Sequence, residues 1–89
     1  MIKVERKNSE KFQVTVSEQD SSTTHIVTLE DDYYKALTDE KITREDFIKK
    51  CFEFLLEREG KESILLSFNV KIIKNYFPEF EQHIQAGIG

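Results

Sequence analysis

The spacing of apolar positions along this 89-residue chain changes period partway through. In "KFQVTVS", Phe12, Val14 and Val16 alternate with Lys11, Gln13 and Thr15, the period of two that marks a half-buried strand. "TTHIVTL" continues the alternation, with Thr24, Ile26 and Thr28 on one face and His25, Val27 and Leu29 on the other, without saying which face is buried. Between them, "EQDSS" is the densest cluster of turn-forming residues in the chain. A β-hairpin is therefore predicted. "IKVER" can extend it at its start; otherwise residues 1–10 fray, as the closing "QAGIG" at 85–89 should.

From residue 30 the period lengthens to that of a helix. Residues 30–38 make a short first helix whose "EDD" puts Glu30, Asp31 and Asp32 at the positive end of the macrodipole. Tyr33 or Tyr34 with Leu37 gives it one apolar stripe, and "TDEK" breaks the pattern. The strongest element, a helix over 44–59, follows in "TREDFIKKCFEFLLEREG". Thr43 with Asp46 has capping-box spacing, and Gly60 stands where a left-handed C-terminal cap belongs. Its apolar arc runs from Phe47 and Ile48 through Cys51 and Phe52 to Phe54, Leu55 and Leu56, wider than packing against one layer needs. This helix is expected to be central, with the hairpin on one flank and other helices on another.

The tail reads as two or three short helical pieces. Ile64, Leu65 and Phe68 form one stripe; Val70, Ile73 and Phe77 form a second. Asn69 can cap the middle piece, and Pro78 suits the first turn of the last. The expected fold is α+β: one domain over 1–89, an N-terminal β-hairpin packed on a central amphipathic helix with short flanking helices.

Composition narrows the function classes. Hydrophobic residues are 38% and charged residues 34%, and seven Phe and three Tyr supply large buried area per side chain. The net charge of −4 lies entirely in residues 30–62, which hold eleven acidic against seven basic side chains. An acidic helical surface offers no reservoir for phosphate, so nucleic acid and anionic membranes are poor partners. No apolar run approaches the ~18 residues of a membrane span, and "MIKVERKNSEKF" is too charged for a signal peptide, so a cytoplasmic location is expected.

Catalytic chemistry finds little purchase. His25, His83 and Cys51 have no metal-motif spacing, and three glycines cannot build a phosphate loop. Cys51, in the middle of "FIKKCFEFLL", reads as core rather than nucleophile. No enzyme activity, cofactor, metal or small-molecule substrate is indicated. Tyr76, Phe77, Phe80 and Ile84, however, hold more apolar surface than a frayed tail should. They form the candidate interaction surface: the segment either folds back over the central helix or presents a patch to another protein or a second copy.

Two resemblances add to this reading. "THIVTLEDDYYKAL" followed by "ITREDFIKKCFEFLLERE" resembles the strand-helix-helix order of ribbon-helix-helix proteins over residues 24–59. That resemblance implies a dimer whose paired strands read DNA, as a regulator or antitoxin would. The reading positions on either face include no Arg, Lys, Asn or Gln. Over residues 12–81, the hairpin, the "FLLERE" helix, the "ESIL" turn and the "YFPE" tail are similar to a family of small uncharacterised prokaryotic proteins. This second resemblance implies no activity. The function expected is a non-enzymatic protein–protein interaction module, with the dimeric DNA binder as alternative.

Overall fold

The computed structural model describes residues 1–88. Four strands, β1 (Ile2–Arg6), β2 (Lys11–Glu18), β3 (Ser21–Thr28) and β4 (Ser67–Asn69), form one sheet in the order β1-β2-β3-β4. The first three make an antiparallel meander, and β4 lies parallel to β3. A parallel neighbour requires a crossover, here supplied by helices α1 (Asp31–Thr38) and α2 (Arg44–Leu56) and a 3₁₀ turn at Lys61–Ser63. After β4, a second 3₁₀ turn (Val70–Ile72) runs into α3 (Ile73–Tyr76), and α4 (Phe80–Ile88) closes the described chain. The fold is α+β, as the sequence patterns predict.

Strand alternation settles which face is buried. Cross-strand partners share a face, and the register joins Val4 to Val14 to His25 and Arg6 to Phe12 to Val27. Phe12, Val14, Val16, His25, Val27 and Leu29 are all fully buried under the helices. The opposite face carries Gln13, Thr15, Thr24 and Thr28, with Ile26 its one large apolar side chain. The hairpin expected from "IKVER" onward is thus three strands. Rather than fraying, residues 2–6 pair with β2 because Ile2 and Val4 pack on the core. At the other end α4 is helical through Ile88, and the last residue of the expected frayed tail, Gly89, lies outside the described residues.

Helix α2 is the central element. Thr43 caps it, its side chain accepting from the Asp46 N–H at 3.1 Å. Phe52 faces the sheet, its ring 5.3 Å from His25 and 6.0 Å from Phe68, while Phe54 faces the C-terminal helices. That division explains an apolar arc too wide for one layer. The end of α2 differs from expectation. Gly60 is extended (φ −73°, ψ 158°), and the helix instead tightens as the Arg58 and Glu59 N–H groups both donate to the Leu55 carbonyl. The left-handed residues are Gln19, in the β2–β3 turn, and Asp39 and Glu40, after α1.

The stretch Ile64–Asn69 also departs from its helical reading. It is extended and adds β4 to the sheet, burying Ile64 and Phe68 while Leu65 lies outside. An i, i+4 pair such as Ile64 and Phe68 fits either a helix or a bent extended segment. The free edge of β3 at Ile26–Thr28 decides between them by supplying hydrogen bonds. The remaining tail is helical as expected, and the Asn69 side chain caps its first turn by accepting from the Lys71 N–H.

Candidate interaction surface

Of the groups that could suggest chemistry, Glu30 and Asp31 are engaged with neighbours, Asp32 is exposed, and Cys51 is buried. Glu30 accepts from Asn69 at 2.7 Å and pairs with Lys71 at 3.0 Å, so those bonds hold its carboxyl below the usual carboxylate range. Asp31 accepts from Arg44, whose guanidinium also stacks on Tyr34. The acidic start of α1 therefore ties the helix to its neighbours as well as complementing its dipole. Cys51 is fully buried, and that burial pushes its thiol pKa up, away from thiolate reactivity. Among the described residues no three His, Cys, Asp or Glu side chains are grouped to hold a metal, and no helix is long and apolar enough to cross a membrane.

The four tail residues separate. Phe80 is fully buried and Ile84 is 3% exposed, so neither can meet a partner. This corrects the expectation for those two: α4 folds back on α1 and α2, and Phe80 packs edge-on to Phe54 at 5.1 Å. A domain this small gains more by burying a phenyl ring than by displaying it, about 1.5–3 kcal/mol per side chain. Phe77 is half-buried, edge-on to the same ring at 5.8 Å. Arg58 clamps the joint, its guanidinium 3.6 Å from the Phe54 ring centre and donating to Glu79 and to the Phe54 carbonyl. Of the four, Tyr76 alone is exposed, at 66%.

Tyr76 has company that sequence patterns do not single out. Leu65 is 50% exposed and Leu66 66%, and two shallow hollows share Leu65 and Glu59 as a common wall. One hollow reaches inward to Ile64, Phe68 and Ile73; the other is bounded by Tyr76 and Phe77. Leu65 thus borders a hollow together with exposed Tyr76, and its chain neighbour Leu66 is exposed as well.

The backbone beneath this display is held from the sheet. Leu66 O accepts from the Ile26 N–H at 2.8 Å, and Leu65 O lies 2.8 Å from His25 Nδ1. A carbonyl can only accept, so Nδ1 carries the proton in that bond. The other ring nitrogen, Nε2, is hydrogen-bonded to the Thr23 hydroxyl, 2.8 Å away. Fully buried and bonded at both nitrogens, His25 anchors a leucine pair 40 residues downstream. Both carbonyls are bonded inward, so the backbone that carries the two leucines is tied to the sheet. The signal available in sequence was the run "ILL" before a polar residue, but its outward leucines depend on an anchor distant in the chain.

Comparisons with family models, curated proteins and solved structures find no match.

Proposed function

We propose that the chain is a cytoplasmic, non-enzymatic module that binds another protein through the surface formed by Leu65, Leu66 and Tyr76. The observation that carries this reading is the exposure of two adjacent leucines on a backbone fixed from below by His25 and Ile26. A display held rigid in the free protein loses little conformational freedom when a partner covers it. Apolar side chains near a polar rim, here Glu59 and Ser63, are the anatomy of a small recognition patch.

The alternative is a dimeric ribbon-helix-helix-like DNA binder, which needs its strand free to pair with a second protomer. β3 has β2 on one side and, over Ile26–Thr28, β4 on the other. Its open-face side chains Thr24, Ile26 and Thr28 carry no positive charge for phosphate or guanine contacts. These features favour the protein-binding reading.

The test is a photo-crosslinking residue placed in the cell at Leu66, with the exposed Lys35 of α1 as control. A discrete protein adduct is expected at Leu66 and not at Lys35, and it should vanish when Leu65→Glu is added in a chain of unchanged Tm. No adduct at Leu66, or the same adducts at both positions, removes the reading.

A further inference from the structure

A second surface, distant in sequence from the leucine patch, has its own logic. β1 ends the sheet, with β2 on one side and an open edge on the other. The Ser17 N–H donates to Met1 O, and the Lys7 N–H donates to Lys11 O. Hydrogen-bonded positions alternate along an antiparallel ladder. With Lys3 opposite Thr15 and Glu5 opposite Gln13, the odd-numbered residues of β1 therefore turn their backbone groups toward β2. Ile2, Val4 and Arg6 must turn theirs to the open edge, where no strand of the described residues meets them. Natural sheets guard such an edge with charges that repel a second strand. Here Lys3 and Glu5 stand one on each side of Val4, on the open face of the sheet.

We infer that β1 pairs with β1 of a second copy of this chain, antiparallel about a two-fold axis at Val4, joining the two sheets into one. In that register Val4 faces Val4 of the other copy, and Ile2 faces Arg6. All three residues that present backbone groups outward become hydrogen-bonded pairs. Lys3 of each copy then stands opposite Glu5 of the other, giving two symmetric attractive pairs. The neighbouring registers do not work. A shift of one residue sets outward backbone groups against groups already bonded to β2 and puts the apolar side chains on the wrong face. A shift of two keeps the parity but places Lys3 against Lys3, or Glu5 against Glu5, and like charges directly opposite are destabilising.

The apolar side gains as well. Ile2 and Val4 are only half-buried in one chain, and α2 packs over β1. A second copy would cover the side of these residues that faces the open edge. The pairs Lys3–Glu5 (3.5 Å) and Lys7–Glu5 (3.7 Å) lie on solvent-exposed side chains, so exchanging them for cross-copy pairs costs little.

The test is molar mass by size-exclusion chromatography with light scattering, from low micromolar to several hundred micromolar chain. The full chain should shift from monomer to dimer mass as concentration rises. Lys3→Glu and Glu5→Lys each convert both symmetric pairs from attraction to repulsion and should weaken self-association about tenfold or more. One variant then presents two acidic side chains and the other two basic ones, so an equimolar mixture should form a heterodimer while neither associates alone. Both positions face solvent, and an unchanged Tm confirms that each variant folds. A chain that stays monomeric throughout overturns the proposal. So does a dimer indifferent to both substitutions, because its contact lies elsewhere. If that dimer is abolished by Leu66→Glu instead, the leucine patch is the self-contact.

Discussion

Replacing His25 by Leu should loosen the leucine patch more than it loosens the fold. The imidazole is fully buried, donates to Leu65 O at 2.8 Å, is hydrogen-bonded to Thr23 Oγ1 at 2.8 Å, and packs on Phe52. Each of the two hydrogen bonds is worth about 1 kcal/mol net. The stranded Leu65 carbonyl adds a desolvation cost of roughly 1 kcal/mol unless the loop opens to water. Burial of the leucine side chain returns roughly 1 kcal/mol of this. The net loss is about 2 kcal/mol, near 10 °C in Tm for a domain of this size. The sharper readout is local. The Ile26 N–H donates to Leu66 O, the neighbour of the carbonyl that His25 holds. Its native-state hydrogen exchange should accelerate beyond the global change by about fivefold, as the His25–Leu65 bond, worth about 1 kcal/mol, is lost from the local tether. His25→Asn is the control, because an Asn amide N–H can occupy the Nδ1 position and keep the bond to Leu65 O. It should lose global stability through the smaller side chain yet leave the Ile26 N–H protected relative to the global exchange limit. If His25→Leu leaves that amide as protected as the wild type after the global correction, His25 does not hold the loop and the argument for a rigid display is wrong.

Three further outcomes follow from local geometry. Gly60→Ala should raise stability by about 0.5 kcal/mol in urea unfolding, because Gly60 is extended and an added Cβ meets nothing closer than 3.7 Å; a loss above 1 kcal/mol would mean a left-handed residue after all. Cys51, buried with its thiol pKa pushed up by that burial, should resist a thiol-exchange reagent until urea opens the core, and rapid labelling of the native chain would contradict its placement. Glu30 is held below the usual carboxylate range by its hydrogen bonds to Lys71 and then Asn69, so it contributes stability above the unfolded-state carboxylate pKa that is lost as pH falls through its folded pKa. The urea midpoint should therefore drop below about pH 4.3, and Glu30→Gln should lower the neutral-pH midpoint and flatten that acid limb; an acid limb as steep as the wild type's would show that the Glu30 ties contribute nothing.

The features legible along the chain were local and periodic. The alternation in "KFQVTVS" states which residues of β2 turn inward, because successive side chains on a strand must take opposite faces. The cap at Thr43 and the apolar arc of α2 follow from the 3.6-residue turn and from amide donors that need a nearby acceptor. The breadth of that arc even announced a helix covered on two sides. Tertiary structure decided everything that depended on a distant partner. "TTHIVTL" has apolar side chains on both faces, so only its place between β2 and β4 fixes His25 as interior. "SFN" is too short to show a period, and it becomes a strand because β3 offers an unfilled edge. Phe80 and Ile84 became core where surface was open to them, because α2 had a second apolar side to cover. Leu65 and Leu66 became surface for the opposite reason. Hydrogen bonds from His25 and Ile26, far back in the chain, hold their backbone against the sheet, and a pattern of neighbouring residues cannot register a bond that spans 40 positions.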